Sequence, residues 1–353
     1  MNVARYTNVD TFKIEAEFIT PALIHGADTS KIELRSAPIK AALRYWWRVL
    51  YGSAYLFPAN NPEKLFERES EIFGSTKGAS RVKLFLLSNQ TQLKDQPVGD
   101  FLALGKNIEA VHAHNRQINI LQYLSYGTQR QNDGTARALT TDSPFTFQLH
   151  VDKKYSDQVF AALYALSCFG GLGGKARNGF GSFHIISCDK NGTDKVKLDK
   201  DLLCGIPNWL RHDPAPFPVL NHESHIFQTK RKFTSVADAL SEVGDSYYHA
   251  RMNLENAHSY LKRFEVSRPI VQATTMNPRL YPRERRTKPF HLKVIKENKS
   301  YIGQILVLPT CYSQEGNCQD YLQAVHDMTE YFRKNMIDVT DRILPMQGNN
   351  NGA

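Results

Sequence analysis

The chain has 353 residues, with 44 Lys+Arg against 35 Asp+Glu and a net charge of +9. That length favours two domains, and the surplus of cations permits a polyanionic partner without requiring one. No apolar run is long enough to span a membrane, and the opening MNVARYTNVD lacks the apolar core of a signal peptide, so no membrane partner is expected.

Residues 11–20 alternate, with Phe12, Ile14, Ala16 and Phe18 on one face, which predicts a strand. After a loop with His25, Gly26 and Asp28, Ser36 is placed to cap a helix that runs to Tyr51 and closes at Gly52. A shorter helix is predicted over 63–73, ended by Gly74, and a strand over 80–88. Residues 89–140 are polar and mixed, and no period emerges from them. FTFQLHV at 145–151 alternates as a strand, a helix follows from Ser156 to Phe169, and a strand covers 180–187. Leaving insertions aside, the order is β-α-β-β-α-β, the split motif of ferredoxin-like domains. Residues 188–224 read as a linker broken by Pro207, Pro214, Pro216 and Pro218. In the second half we expect a strand near 225–233, helical stretches to about 264 and a long loop over 265–289. A hairpin of 290–296 and 301–309 turns across Asn298 and Lys299. An amphipathic helix at 318–336 carries Tyr321, Leu322, Val325, Met328 and Phe332 on one face, giving β-α-β-β-α again. The expected fold class is α+β, with tandem ferredoxin-like (RRM-like) domains over 1–200 and 201–353. The cysteines Cys168, Cys188, Cys204, Cys311 and Cys318 are odd in number and lack a CxxC pair. They are expected to be reduced thiols of a cytoplasmic protein, with Cys168 buried in a helix.

Three segments carry candidate function. The first is the glycine-rich FGGLGGKARNGFGSF at 169–183, between a helix and a strand, with Lys175, Arg177 and Asn178 among its glycines. It fails the Walker A spacing, and it has the wrong polarity for a dinucleotide fingerprint. Bare backbone N–H groups beside two cations suit an extended phosphate backbone, whereas a purely structural connection would use the glycines only for close packing. The second is the helix APIKAALRYWWRVLY. Ile39, Leu43, Trp46 and Leu50 form its buried side, and Lys40, Arg44, Trp47, Arg48 and Tyr51 its neighbouring side. Cations beside large rings suit single-stranded RNA, although charged helix faces are also commonly just solvated. The third is NPRLYPRERRTKPF, with Arg279, Arg283, Arg285, Arg286 and Lys288 offset only by Glu284. Arginine takes phosphate bidentately and stacks on bases. This segment and the glycine loop are expected to border one basic inter-domain cleft that would follow an RNA backbone.

Catalytic patterns are weaker. His222-Glu223-Ser224-His225 falls one residue short of the HExxH zinc spacing, and His112/His114 and His212-Asp213 read as loop features. No hydrolase elbow or cysteine nucleophile signature occurs. We expect no catalytic residue, no metal and no cofactor; Asp28, for metal-assisted cleavage, and His25, as a general base, are the positions a nuclease would use.

The chain resembles the RAMP superfamily of CRISPR-associated proteins, and within it the first-numbered RAMP subunits of type III-B, or Cmr, effector complexes. RSAPIKAALRYWWRVLYG at 35–52, EIFGS at 71–75 followed by SRVKL, and GGLGGKARNGFGSF at 170–183 carry the likeness, together with RRTKPFHLKVI and YIGQILVLP in the second half. The resemblance implies tandem ferredoxin-like domains and a non-catalytic, RNA-binding subunit. It would cap the assembly at the end distal to the polymerase-like large subunit and bind the 3′ region of the guide RNA and its duplex with target RNA. Target cleavage would belong to other RAMP subunits, its partners. By motif, Lys40, Arg44, Trp47, Arg48, Lys175 and Arg177 carry over as RNA-binding residues. Ala41 stands where many relatives have glycine, and Asn178 where a basic residue is frequent. The competing readings are a RAMP endoribonuclease, acting on guide-precursor or target RNA, and a protein scaffold with incidental basic charge.

Overall fold

The computed structural model describes residues 8–26, 28, 31–56, 61–88, 93–128, 136–141, 143–192, 194–207, 209–256, 261–267, 287–311 and 318–344. It is a mixed α+β protein built on two antiparallel sheets. The first half runs β1 (Val9–Phe18), α1 (Ser36–Tyr51), α2 (Ser53–Leu56), α3 (Pro62–Phe73) and β2 (Val82–Leu86). An insertion follows: β3 (Asp95–Pro97), α4 (Val98–Ala103), β4 (Asn107–Ala110), β5 (Ala113–Asn119), α5 (Ile120–Ser125) and β6 (Arg137–Leu139). The chain then returns through β7 (Pro144–Asp152), α6 (Ser156–Phe169), β8 (Phe183–Lys190) and β9 (Asp194–Lys195). The sheet order is β2-β7-β1-β8-β9. Phe12, Ile14, Ala16 and Phe18 of β1 point inward, as their spacing requires, and meet Leu43 and Trp46 of α1 and Phe160 of α6 in one core.

The second half comprises β10 (His225–Gln228), α7 (Val236–Met252), α8 (Leu261–Glu265), β11 (Phe290–Glu297), β12 (Ser300–Val307), α9 (Cys318–Asn335), β13 (Ile337–Asp338) and α10 (Thr340–Ile343). Its sheet order, β11-β12-β10-β13, repeats that of the four main strands of the first sheet, with the two helices α7 and α9 in the same places in the chain. The short β13 was not foreseen: two residues cannot display a period. Residues 89–140 were illegible for a related reason. Their strands and helices are three to seven residues long, and their apolar side chains, Phe101, Ile108, Ile120 and Leu124 among them, pack into the core of the second half.

Two boundary expectations need correction. Ser36 is the first residue of α1, not its cap; the capping position is Arg35, which offers no side-chain hydrogen bond. The cysteines are not all free: Cys311 and Cys318 form a disulfide, their Cα atoms 5.8 Å apart. The exit from β12 lies against the first turn of α9, where the Thr310 N–H donates to the Tyr321 hydroxyl at 3.2 Å, and this brings the two thiols together. Cys168, Cys188 and Cys204 are free, and Cys168 is only half-buried.

The two halves interlock. β11 is buried on both faces along most of its length. On the face turned to the first half, the Lys293 ammonium donates to the carbonyls of Gly170 (2.7 Å) and Phe183 (3.0 Å). Opposite it in register, Gln304 donates from Nε2 to the Cys168 carbonyl at 3.0 Å. These two side chains satisfy the open carbonyls at the C-terminus of α6, where a cation also complements the helix dipole. Burial holds the Lys293 ammonium down to about 7. The unfolded chain, with an ordinary lysine, then binds the extra proton between about pH 7 and 10.5, so this group makes stability rise with pH across that window. We expect the denaturation midpoint of the native chain to gain on that of Lys293→Met as pH is raised from 7 to 10. Parallel pH profiles for the two proteins would remove Lys293 as the cause.

Candidate nucleic-acid interface

The glycine loop, residues 170–182, starts where α6 ends and is laced into the fold by its own backbone. The N–H groups of Gly174 and Gly181 donate to Leu23 O (2.8 Å) and Pro21 O (2.9 Å), and that of Leu172 donates to Gly181 O (2.9 Å). Gly173 and Gly181 have φ of 94° and 64°, and a Cβ at Gly181 would lie 1.9 Å from Leu172 O. Only glycine fits there. The expectation of bare N–H groups waiting for phosphate is corrected for these positions: they are consumed in packing. The loop's function rests on its side chains.

Those side chains sit at the seam between the halves. Asn178 forms a parallel bridge with Leu292 of β11, and the Leu292 N–H donates to Arg177 O at 3.0 Å. The Asn178 amide donates to Leu124 O and accepts from the Lys288 ammonium, both at 2.6 Å. It is therefore a structural clasp at the seam. Lys288 also lies 3.9 Å from the centre of the Tyr247 ring. Arg177 stands over Tyr45 of α1 at 5.5 Å, and the Tyr45 hydroxyl meets Nε2 of the buried His291 at 3.1 Å. Burial, then the charges of Arg177 and Lys288, push His291 well below the usual imidazole range, so its ring is neutral. Burial also pushes Lys288 well down, and Arg251, Arg177 and Lys175 act on it in the same direction. The glycine loop, β11 and α7 thus bring Lys175, Arg177, Arg251 and Lys288 together. The sequence reading missed Arg251, Tyr45 and His291, since no local pattern marks an arginine on a mixed helix as facing another element 74 residues away. Arg279, Arg283, Arg285 and Arg286 lie outside the described residues.

The first helix is placed differently from expectation. Trp47 has no exposed surface; its Nε1 donates to Gln158 at 3.0 Å, and its ring packs with Tyr51, Tyr55 and Phe73. No base can reach it, which corrects its assignment to RNA stacking. Lys40 donates to the Ser80 hydroxyl at 2.7 Å. Arg44 and Arg48 both clasp Glu69 of α3, Arg48 through two hydrogen bonds of 2.6 and 2.7 Å. Burial raises the Glu69 carboxyl, and the hydrogen bonds from Arg48 and Arg44 more than offset it, leaving it below its ordinary value. The 3.6-residue period reported a cationic face correctly but could not reveal that an acid from α3 covers it. Glu69→Gln is expected to cost about 2 kcal/mol, less than a fully buried pair, because both arginines remain partly hydrated. Urea denaturation checks this, and an unchanged midpoint would release the arginines for another role.

Asp28 is exposed and pairs with Lys31 at 3.6 Å. Among the described residues, no group of three or more histidine, cysteine or acidic side chains is arranged to hold a metal, and no helix is long and apolar enough to cross a membrane.

The family model of the RAMP superfamily matches residues 15–184, which contain α1, the insertion and the glycine loop. The chain is 29% identical over 185 residues to the CRISPR system Cmr subunit Cmr1-2 of Pyrococcus furiosus, covering 48% of this chain and 92% of that relative. It is also 29% identical over 192 residues to Cmr1-1 of the same organism, covering 54% of this chain and 51%, about half, of that one. The crystal structure of apo Cmr1 from Pyrococcus furiosus matches with a TM-score of 0.57 at 18% identity, covering 93% of this chain and 98% of that one. A chain of the type III-B Cmr-beta complex bound to cognate target RNA matches with a TM-score of 0.55 at 12% identity, covering 92% and 99%. At such identities the structural likeness speaks for the fold alone. Residues 15–184 thus match the RAMP superfamily, and the chain resembles the Cmr1 subunits of the Pyrococcus furiosus CRISPR Cmr system.

Proposed function

We propose that this chain is a non-catalytic RNA-binding subunit of a type III-B CRISPR ribonucleoprotein. It caps the assembly and holds the 3′ region of the guide RNA and its duplex with target RNA. Its partners are those RNAs and other RAMP subunits, and it works in the cytoplasm. The observation that carries the reading is the convergence of Lys175 and Arg177 from the glycine loop with Lys288 at the seam between the two halves. The repeated sheet order, with two helices on each sheet, supports tandem ferredoxin-like domains divided near residue 200. The two cores nevertheless cross that line, since Leu203, Ile206 and Trp209 pack with the first and Phe180 with the second. Phosphate contacts should dominate, because a guide-binding subunit accepts any guide sequence.

Affinity purification of the tagged chain from its native cell, with sequencing of the bound RNA, tests this. Guide RNAs with enriched 3′ regions are expected, together with other RAMP subunits. Recovery without RNA, or magnesium-dependent cutting of target RNA by the purified chain that Asp28→Ala abolishes, would overturn it in favour of a scaffold or a nuclease respectively.

A further inference from the structure

We infer that Arg251, Lys288 and Arg177 form a built anion subsite that takes one phosphate group of a polynucleotide backbone. This deepens the RNA-binding reading and rests on it. Tyr247 and Arg251 are four residues apart on α7 and share one face of the helix. Lys288 lies against the Tyr247 ring at 3.9 Å, and its hydrogen bond goes to the neutral amide of Asn178. Arg251 uses Nη1 on the Tyr123 hydroxyl at 3.0 Å, while its Nε is shut off from solvent and has no hydrogen-bond partner among the described residues. Arg177 covers Tyr45. The walls are therefore phenol rings and amides, and the charges within them are all positive.

Several other cations of the molecule meet carboxylates, whereas the buried Lys293 is satisfied by backbone carbonyls. Arg44 and Arg48 meet Glu69, Lys106 meets Asp245 at 2.7 Å, and Arg263 meets Glu255 at 3.4 Å. Among the described residues, no carboxylate forms an ion pair with Arg177, Arg251 or Lys288. Packing like charges together without a counter-ion is unfavourable, and an orphaned guanidinium donor adds a desolvation cost. A phosphate at the cluster supplies the missing counter-charge. Its oxygens accept several charge-assisted hydrogen bonds, and its charge stabilises the ammonium and the guanidinium groups around it. The neutral His291 ring at the Tyr45 edge adds no competing charge.

The test uses the purified full chain and two variants, Lys288→Gln, which keeps a donor for Asn178, and Arg251→Gln. Binding to single-stranded RNAs of unrelated sequence is followed through a salt titration, with circular dichroism to verify folding. Thermal unfolding is measured in inorganic phosphate and in chloride at equal ionic strength. Each variant is expected to bind RNA about tenfold more weakly, with the slope of log affinity against log salt reduced by about 0.7. Should Arg251→Gln fail to fold, Lys288→Gln alone decides. Unchanged affinity and slope in a folded variant, against RNA binding by the native chain, overturns the subsite and leaves the RNA reading standing. A native chain that binds no RNA, yet is stabilised by inorganic phosphate and loses this in the variants, keeps the anion subsite and assigns it to a free phosphate; the RNA reading then fails.

Discussion

Replacing Trp47 with alanine is expected to lower stability by about 3–5 kcal/mol, the usual range for deleting a fully buried large aromatic. The ring has no exposed surface and packs among Tyr51, Tyr55 and Phe73, at the junction where α1 and α3 close over the sheet. Its loss leaves a cavity and an unpartnered Gln158. RNA affinity, corrected for the folded fraction, should be that of the native chain. Chemical denaturation and filter binding on the same preparations read the two quantities separately. If the alanine protein does not fold, Trp47→Phe, which retains most of the apolar bulk, should show a smaller loss and native RNA binding. An unchanged midpoint with weakened RNA binding would put the ring at a base and contradict its burial.

Trp47 also marks how far the chain could be read from its residues. Long elements were legible because their periods are physical: β1 alternates and α9 repeats its apolar face, and both appear where expected. The side of α1 that carries Arg44, Trp47 and Arg48 was also found. What that side faces was not, because the answer lies in α3, where a single buried Glu69 turns a phosphate-like cationic track into an ion-pair clasp. The glycine loop was singled out on composition, yet its glycines serve close packing, Gly173 and Gly174 against Leu23, Gly171 against Gly181 and Gly181 against Leu172. Only the folded chain shows that Asn178 is a clasp and that Arg251, distant in sequence, completes the basic cluster. Contacts between elements far apart in the chain leave no local pattern, and the site is made almost entirely of such contacts.

The double variant Lys175→Asn/Arg177→Gln is expected to bind single-stranded RNA about 10- to 100-fold more weakly than the native chain. Lys175 adopts φ of 58°, a left-handed conformation that asparagine tolerates better than most residues, so the substitution removes charge without adding strain. Arg177 reaches the seam between the halves and is held there through its backbone by Leu292, an arrangement glutamine preserves. Each lost contact to a partly hydrated phosphate is worth about 0.7–1.4 kcal/mol, so the two together give that range. Removing two phosphate contacts from a single strand should flatten the slope of log affinity against log salt by about 1.4. The loss should be the same for RNAs of unrelated sequence, since phosphates carry no base information. The matching experiment on α1 should come out the other way: Arg44→Ala/Arg48→Ala strands a buried Glu69 carboxylate, so stability falls while affinity per folded molecule holds. Native affinity in the glycine-loop variant, with a loss confined to the α1 variant, would move the RNA path from the seam to the first helix. A loss that depends on base sequence would instead make Arg177 a reader of base edges.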